Sequence, residues 1–311
     1  MSSGYDALRT GTAWLNLSTR GRIYATGEDR ARLLHALVTN HVQQLKPGEG
    51  CYAFFLDAQG HIHADVNLLC FEDRFLLDTE PETRIWVSRH LDKYIIADDV
   101  TLEDVSESLA CLAVEGAQAA SVLAVLGAPT PEIDYAHVTW HTATIQRAST
   151  TGAIGFRIFL PAEEKAEWIA RLESAGACHA TPQEARTVRL EHGIPRYSED
   201  IFETTLPQET SQMHAVHFSK GCYLGQEIVE RIRSRGHVNR VLFSAQVEGD
   251  TPLPRGTKIS SEGVDAGEIT SSAFSPALGR VVALGYVRAQ YASGGTALEA
   301  AGRTLEPTAM A

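Results

Sequence analysis

Phe218-Ser219-Lys220-Gly221-Cys222-Tyr223-Leu224-Gly225-Gln226-Glu227-Ile228-Val229-Glu230-Arg231-Ile232-Arg233-Ser234-Arg235-Gly236 is the stretch on which the reading of this chain turns. Gly221 and Gly225 bracket a loop whose backbone is free to take positive φ or to approach a ligand closely, and Leu224, Ile228, Val229 and Ile232 then recur at helical spacing. Cys222 therefore stands just before a helix start. The partial positive charge there and the neighbouring Lys220 favour a thiolate, the arrangement of a reactive cysteine. The plainer reading is a small buried thiol in a glycine turn. Arg231, Arg233, Arg235 and Arg240 make the one dense basic stretch, suited to a solvated helix face, to a carboxylate-bearing ligand tail or to a phosphate.

Downstream of this segment, runs such as Val238–Phe243, Lys258–Ser260, Gly267–Ser271 and Val281–Val287 are short, alternating and divided by glycine, proline and serine. That texture predicts a small β-barrel over residues 236–311, set apart from residues 1–235. Upstream, Thr181-Pro182-Gln183-Glu184 predicts a capped helix start and an end near His192-Gly193. Residues 20–26 read as a strand, with Thr26 expected to cap the helix that carries Leu33, Leu34, Leu37 and Val38. Asp57-Ala58-Gln59-Gly60 reads as a hairpin turn, after which Ile62, Ala64, Val66 and Leu68 alternate with His61, His63, Asp65 and Asn67, giving one apolar and one wet face. Helices near 82–95, 116–126 and 162–176 alternate with strands near 99–115 and 132–160, a pattern of α+β lobes.

Composition bounds the function. The net charge of −12 repels polyanions, so direct RNA binding is not expected. The five cysteines (Cys51, Cys70, Cys111, Cys178, Cys222) are scattered, without a Cys-x-x-Cys pair, which argues against a disulfide framework or a zinc site. No apolar run approaches the ~18 residues of a membrane span and the N-terminus lacks a signal pattern, so a cytoplasmic protein is expected. His61, His63 and Asp65 alternate along a strand, but no further ligand supports a metal site and none is expected.

Lys220, Gly221, Cys222, Tyr223, Gly225, Gln226 and Glu227 each match the Lys-Gly-Cys-Tyr-x-Gly-Gln-Glu signature of the YgfZ family, which resembles the glycine-cleavage T-protein in fold and folate binding. Arg231, Gly236, Arg240 and the upstream Leu206-Pro207-Gln208-Glu209 continue the likeness. The resemblance implies two interwoven ferredoxin-like lobes and a C-terminal barrel around a site for tetrahydrofolate or a one-carbon derivative. Arg189-Leu190-Glu191-His192-Gly193 resembles the T-protein segment whose glutamate binds the pterin, which makes Glu191 the candidate anchor; read without that likeness, Glu191 is a surface acid paired with Arg189 or His192. Gly60 to Val66 resembles the segment whose aspartate lies at the reactive edge of the folate, here Asp65, with Ala64 where T-proteins carry a second acid.

Two functions follow from the resemblance. The main expectation is a folate-binding accessory protein of iron–sulfur cluster assembly or repair, partnered by assembly proteins or cluster-containing client enzymes and thereby supporting tRNA modification. There Cys222 and Asp65 carry the chemistry, and Glu191, Asp65, Lys220, Tyr223, Gln226 and Arg231 hold the folate. The alternative is a folate-dependent aminomethyltransferase or demethylase-type transferase, which needs Asp65 but no cysteine.

Overall fold

In the computed structural model, which describes residues 4–236, 238–292 and 297–310, helix α1 (Gly4–Thr10) and strand β1 (Ala13–Asn16) come first and wait for partners from far along the chain. Strand β2 (Gly21–Thr26), helix α2 (Arg30–Leu37), strands β3 (Gly50–Leu56), β4 (Ile62–Cys70) and β5 (Arg74–Thr79), helix α3 (Arg84–Tyr94) and strand β6 (Thr101–Asp104) form the first lobe. Its antiparallel sheet runs β3-β4-β5-β2-β6. Leu33, Leu34 and Leu37 of α2 and Val87 and Leu91 of α3 bury one face of that sheet against Ala53, Phe55, Val66 and Leu77.

Strand β7 (Leu109–Glu115), helix α4 (Ala119–Val125), strands β8 (His137–Trp140), β9 (Ala143–Arg147) and β10 (Gly155–Pro161), helix α5 (Lys165–Ser174) and strand β11 (Cys178–His179) return to β1. The second sheet runs β11-β1-β7-β10-β9-β8, so the two α+β lobes are interwoven in sequence. Helix α6 (Pro182–Glu191) follows, then a long irregular segment and helix α7 (Gln226–Arg235). Strands β12 (Arg240–Val247), β13 (Lys258–Ser261), β14 (Val264–Ser275), β15 (Arg280–Arg288), β16 (Leu298–Ala300) and β17 (Arg303–Pro307) close into a six-strand barrel ordered β12-β15-β14-β13-β16-β17. No helix among the described residues is long and apolar enough to cross a membrane.

Helix α6 joins barrel to lobes. Thr181 and Glu184 make both bonds of a capping box. Leu190 packs on Ala273, Val282 and Leu284 of the barrel. Arg189 donates to Asp200 at 2.8 Å, and Asp200 in turn accepts from Thr270 (2.6 Å) and Ser271 (2.5 Å) of β14.

Two local readings change. The helix after Thr26 starts at Arg30, because the intervening turn is tied to the 98–100 loop: Glu28 N–H donates to the Asp99 carboxylate (3.0 Å) and Asp99 N–H to the Asp29 carboxylate (2.9 Å). The alternation from Ile62 is broken by a β-bulge, since Leu56 pairs with Ile62 but Phe55 with Ala64. Ile62 thus joins Phe54 and Leu56 on one face while Ala64 and Val66 bury on the other. The face expected to be wet is also covered: Asp65 and Asn67 are 7% and 4% exposed.

Candidate functional site

That covered face looks into a cavity of about 440 Å³. The hairpin contributes Tyr52, Asp65 and Asn67, the first lobe adds Arg20 and Glu80, and the second lobe supplies Arg157 and the loop from Arg147 to Gly155. Arg189, Arg196, Gln212 and His214 line it from the α6 side. Three rings make one wall: Tyr52 and His214 lie 5.4 Å apart between centroids with 27° between planes, and Tyr135 lies 14° off the plane of Tyr52 at 6.4 Å. Tyr135 is held at φ 64, a left-handed conformation that costs a bulky residue roughly 1 kcal/mol or more. Its N–H donates to Arg147 O at 2.8 Å and its carbonyl accepts from Gln146 Nε2 at 3.3 Å.

Asp65 is the polar centre of this cavity. Its Oδ2 accepts from the Tyr52 hydroxyl at 2.8 Å, while Oδ1 is buried without a partner. Burial, reinforced by the nearby Glu80 carboxylate, pushes the Asp65 pKa up to about 6. Burial works against the Glu80 charge as well, yet Arg20 and Arg196 together hold its pKa below the usual carboxylate value. Arg20 and Arg157 both bind the fully buried Asp78. Two further polar atoms of lining residues, Arg157 Nε and Thr150 Oγ1, are likewise buried without partners. The Thr150 loop is shaped from behind by Glu115, which is fully buried and accepts from Thr150 N (2.7 Å), Thr151 N (3.0 Å) and Ser149 Oγ (3.0 Å).

The other sequence-predicted site residues lie elsewhere. Lys220, Cys222, Tyr223, Gln226 and Arg231 are not among the cavity's lining residues. Lys220 turns inward and donates to the carbonyls of His35 and, at 2.6 Å, Val38 at the end of α2; Cys222 stays exposed at the surface. Tyr223 and Val229 pack on Phe54, Leu56 and Ile62. Gly225 sits at φ 84 so close to the hairpin turn that a Cβ there would lie 2.5 Å from Asp57 O. Gln226 opens α7 and Arg231 is exposed on it. The segment therefore braces the hairpin that carries Tyr52 and Asp65.

Glu191 is turned away from the cavity. Its carboxylate accepts from Tyr5 (2.5 Å), Ser275 (2.6 Å) and Arg9, linking α1, α6 and β14. A residue at the end of α6 follows the helix face that packs on α1 and the barrel, whereas Arg189 falls on the face toward the cavity. Of the basic stretch, Arg233 pairs with Glu230 (3.4 Å) and Arg240 with Glu209 (3.2 Å), and the Arg235 side chain lies outside the described residues. His61 and His63 both approach Asp57 at 3.3 Å, and the bulge separates them from Asp65.

Sequence reasoning passed over Arg20, Glu80, Arg157, Arg196 and the Tyr52–Tyr135–His214 wall. Tyr52 carried a signal, since period-two spacing puts it on the face of β3 shared with Phe54, across from Asn67. The loop 147–155 carried none, because its role depends on Glu115 far upstream.

The GCVT N-terminal domain model matches residues 2–220, and the glycine cleavage T-protein C-terminal barrel domain model matches residues 239–308. An aminomethyltransferase of Rubrobacter xylanophilus is 32% identical over 291 residues, covering 91% of this chain and 78% of the relative. One of Rippkaea orientalis is 28% identical over 95% of this chain and 83% of the relative. The crystal structure of the glycine cleavage system aminomethyltransferase T from Bartonella henselae superposes with a TM-score of 0.89 at 22% identity, over 99% of this chain and 87% of that one, which speaks for the fold. These relatives overturn the expectation of an accessory role in iron–sulfur cluster assembly, because those matched along nearly the whole chain are named aminomethyltransferases. The likeness carried by Lys220 to Glu227 lies on a segment that packs against the β3–β4 hairpin. The chain belongs to the glycine-cleavage T-protein family, whose members use tetrahydrofolate and its one-carbon derivatives.

Proposed function

We propose that this chain is a tetrahydrofolate-dependent one-carbon transferase of the aminomethyltransferase kind, working in the cavity lined by Asp65. The observation that carries the reading is the Asp65 carboxyl: one oxygen is fixed by Tyr52 and the other is buried, unpartnered and beside the aromatic wall. The residues fit a folate. The parallel rings suit a flat heterocycle, and the Asp65, Arg157 and Thr150 side chains lining the same cavity are of the types that pair with its ring-edge donors and acceptors. Bound tetrahydrofolate would supply the amine nitrogens that accept the one-carbon unit.

Asp65 then does what a buried carboxyl can do at a developing cation. Ionised, it stabilises positive charge on the carbon in transit; protonated, it returns a proton to the departing amine. Tyr52 keeps the carboxyl from rotating. Within the family, the match of Lys220 to Glu227 supports a place on the YgfZ-type branch, with that segment bracing the hairpin rather than reacting.

The test is transfer from an aminomethyl or methylated-amine donor to tetrahydrofolate, followed as methylene- or methyl-folate formed, in wild type, Asp65→Asn and Cys222→Ala. Asp65→Asn is expected to lower kcat by about 10²-fold or more, with Cys222→Ala close to wild type. Activity that survives in Asp65→Asn and is lost in Cys222→Ala would sink the reading, as would a wild-type protein that binds no folate by calorimetry.

A further inference from the structure

We propose that Glu80 is a positioning residue for Asp65: clamped by Arg20 and Arg196, it holds a fixed negative charge at the neighbouring strand end and so adds to burial in biasing Asp65 to meet the substrate as an acid. The inference rests on the transferase reading and deepens it, since both Glu80 oxygens are already engaged by arginines and its effect runs through Asp65.

The β4–β5 ladder pairs Val66 with Thr79, so one step outward along the same register brings Asp65 and Glu80 together. The corner is rigid. Thr79 Oγ1 donates to Asp65 O at 2.7 Å and lies 2.7 Å from Thr83 Oγ1, and Thr83 Oγ1 reaches Glu80 O at 3.1 Å. Like charges facing each other across a ladder repel, and such a pair persists only when each member is held by something else. Glu80 is so held: Oε1 accepts from Arg20 and Oε2 from Arg196 at 2.7 Å. Asp65 has only the Tyr52 hydroxyl.

Of the remaining groups facing Asp65, Arg20 and Arg157 oppose Glu80, but each is engaged by another carboxylate. Arg20, just before β2, and Arg157, from β10, are both bound to Asp78. Tyr52 from β3 donates a neutral hydroxyl, and burial keeps Tyr197, beyond α6, in its un-ionised form. Arg196 also holds the Glu82 carboxylate with both oxygens at 2.9 Å, so the outer end of the clamp is itself anchored. Two acids in one wall are thus driven apart, one kept as a carboxylate and the other left able to hold a proton.

The experiment is a carboxyl carbon-13 NMR titration of the full chain, with Asp65 assigned by its loss in Asp65→Asn. In wild type, Glu80 should titrate well below Asp65 and bend again as Asp65 ionises. Glu80→Gln should lower the Asp65 midpoint by about one pH unit, while Glu80→Asp, which keeps the charge, and Glu82→Gln leave it near the wild-type position. The acid limb of the kcat profile should move with it, and KM for folate should stay put. An Asp65 midpoint unchanged in folded Glu80→Gln overturns the proposal. If that variant does not fold, a wild-type Glu80 that takes up its proton before Asp65 does so instead. A shifted midpoint in a protein that transfers nothing would sink the transferase reading and uphold the coupling.

Discussion

Lys220 shows how a motif residue can be tied into the fold away from the cavity it was expected to serve. Its side chain closes the end of α2 by donating to two buried carbonyls, with the nitrogen 4.7 Å from the centroid of the Tyr223 ring. Lys220→Met leaves both carbonyls without a donor and should cost about 1–3 kcal/mol in denaturant unfolding. The pH dependence has a definite sign. Burial lowers the Lys220 pKa from 10.5 to about 7 in the folded protein, and a neutral amine still has an N–H for each carbonyl. A depressed folded value means stability that is present at high pH and lost as pH falls toward 7. The gap between wild type and Lys220→Met should therefore widen as pH rises above 7; a gap that narrows would contradict the burial argument. Glu191 carries the same lesson. Residue type and motif placed both at special points of the chain, but the direction of each side chain is set by neighbours that no local pattern names, α1 and the barrel for Glu191 and α2 for Lys220.

At the scale of elements, the β3–β4 hairpin and α7 form one mechanical unit. Gly60 would place a Cβ 2.9 Å from Ile228 Cβ, and Gly225 one 2.5 Å from Asp57 O, so each glycine lets the other element in. Gly225→Val should push α7 off the turn, read as faster amide exchange in residues 52–66 and 226–235 together; protection lost in α7 alone would show that the hairpin stands without its brace. The hairpin itself was legible, turn and all, and Asp65 lies on the face opposite Val66, as alternation requires. The bulge at His63 was not, because a one-residue insertion has no compositional mark; it moved Ile62 across the sheet and took apart the row of His61, His63 and Asp65. The capped start of α6 was legible for the opposite reason, since every atom of a capping box lies within four residues.

On the scale of the whole molecule, α6 and Asp200 couple the barrel to the cavity. Asp200 is fully buried between Arg189, which lines the cavity, and the hydroxyls of β14. Asp200→Ala leaves Arg189 without its inner partner and should cost roughly 3–5 kcal/mol, with folate affinity falling alongside stability. A loss of stability with affinity intact would mean that the barrel supports the fold without shaping the site. Barrel texture and lobe character were readable from strand length and helix period, whereas the pairing of β1 with β7 and β11 was not, since it joins segments that share no local signal. That pairing has a kinetic side. A ribosome releases β1 long before β7 exists, so the first strand spends the synthesis of an entire lobe as an unmated edge, a state prone to sticking to other chains. Because the cavity's walls run from Arg20 to His214, the pocket has all its sides only after both lobes have left the ribosome, well behind the first strand it depends on.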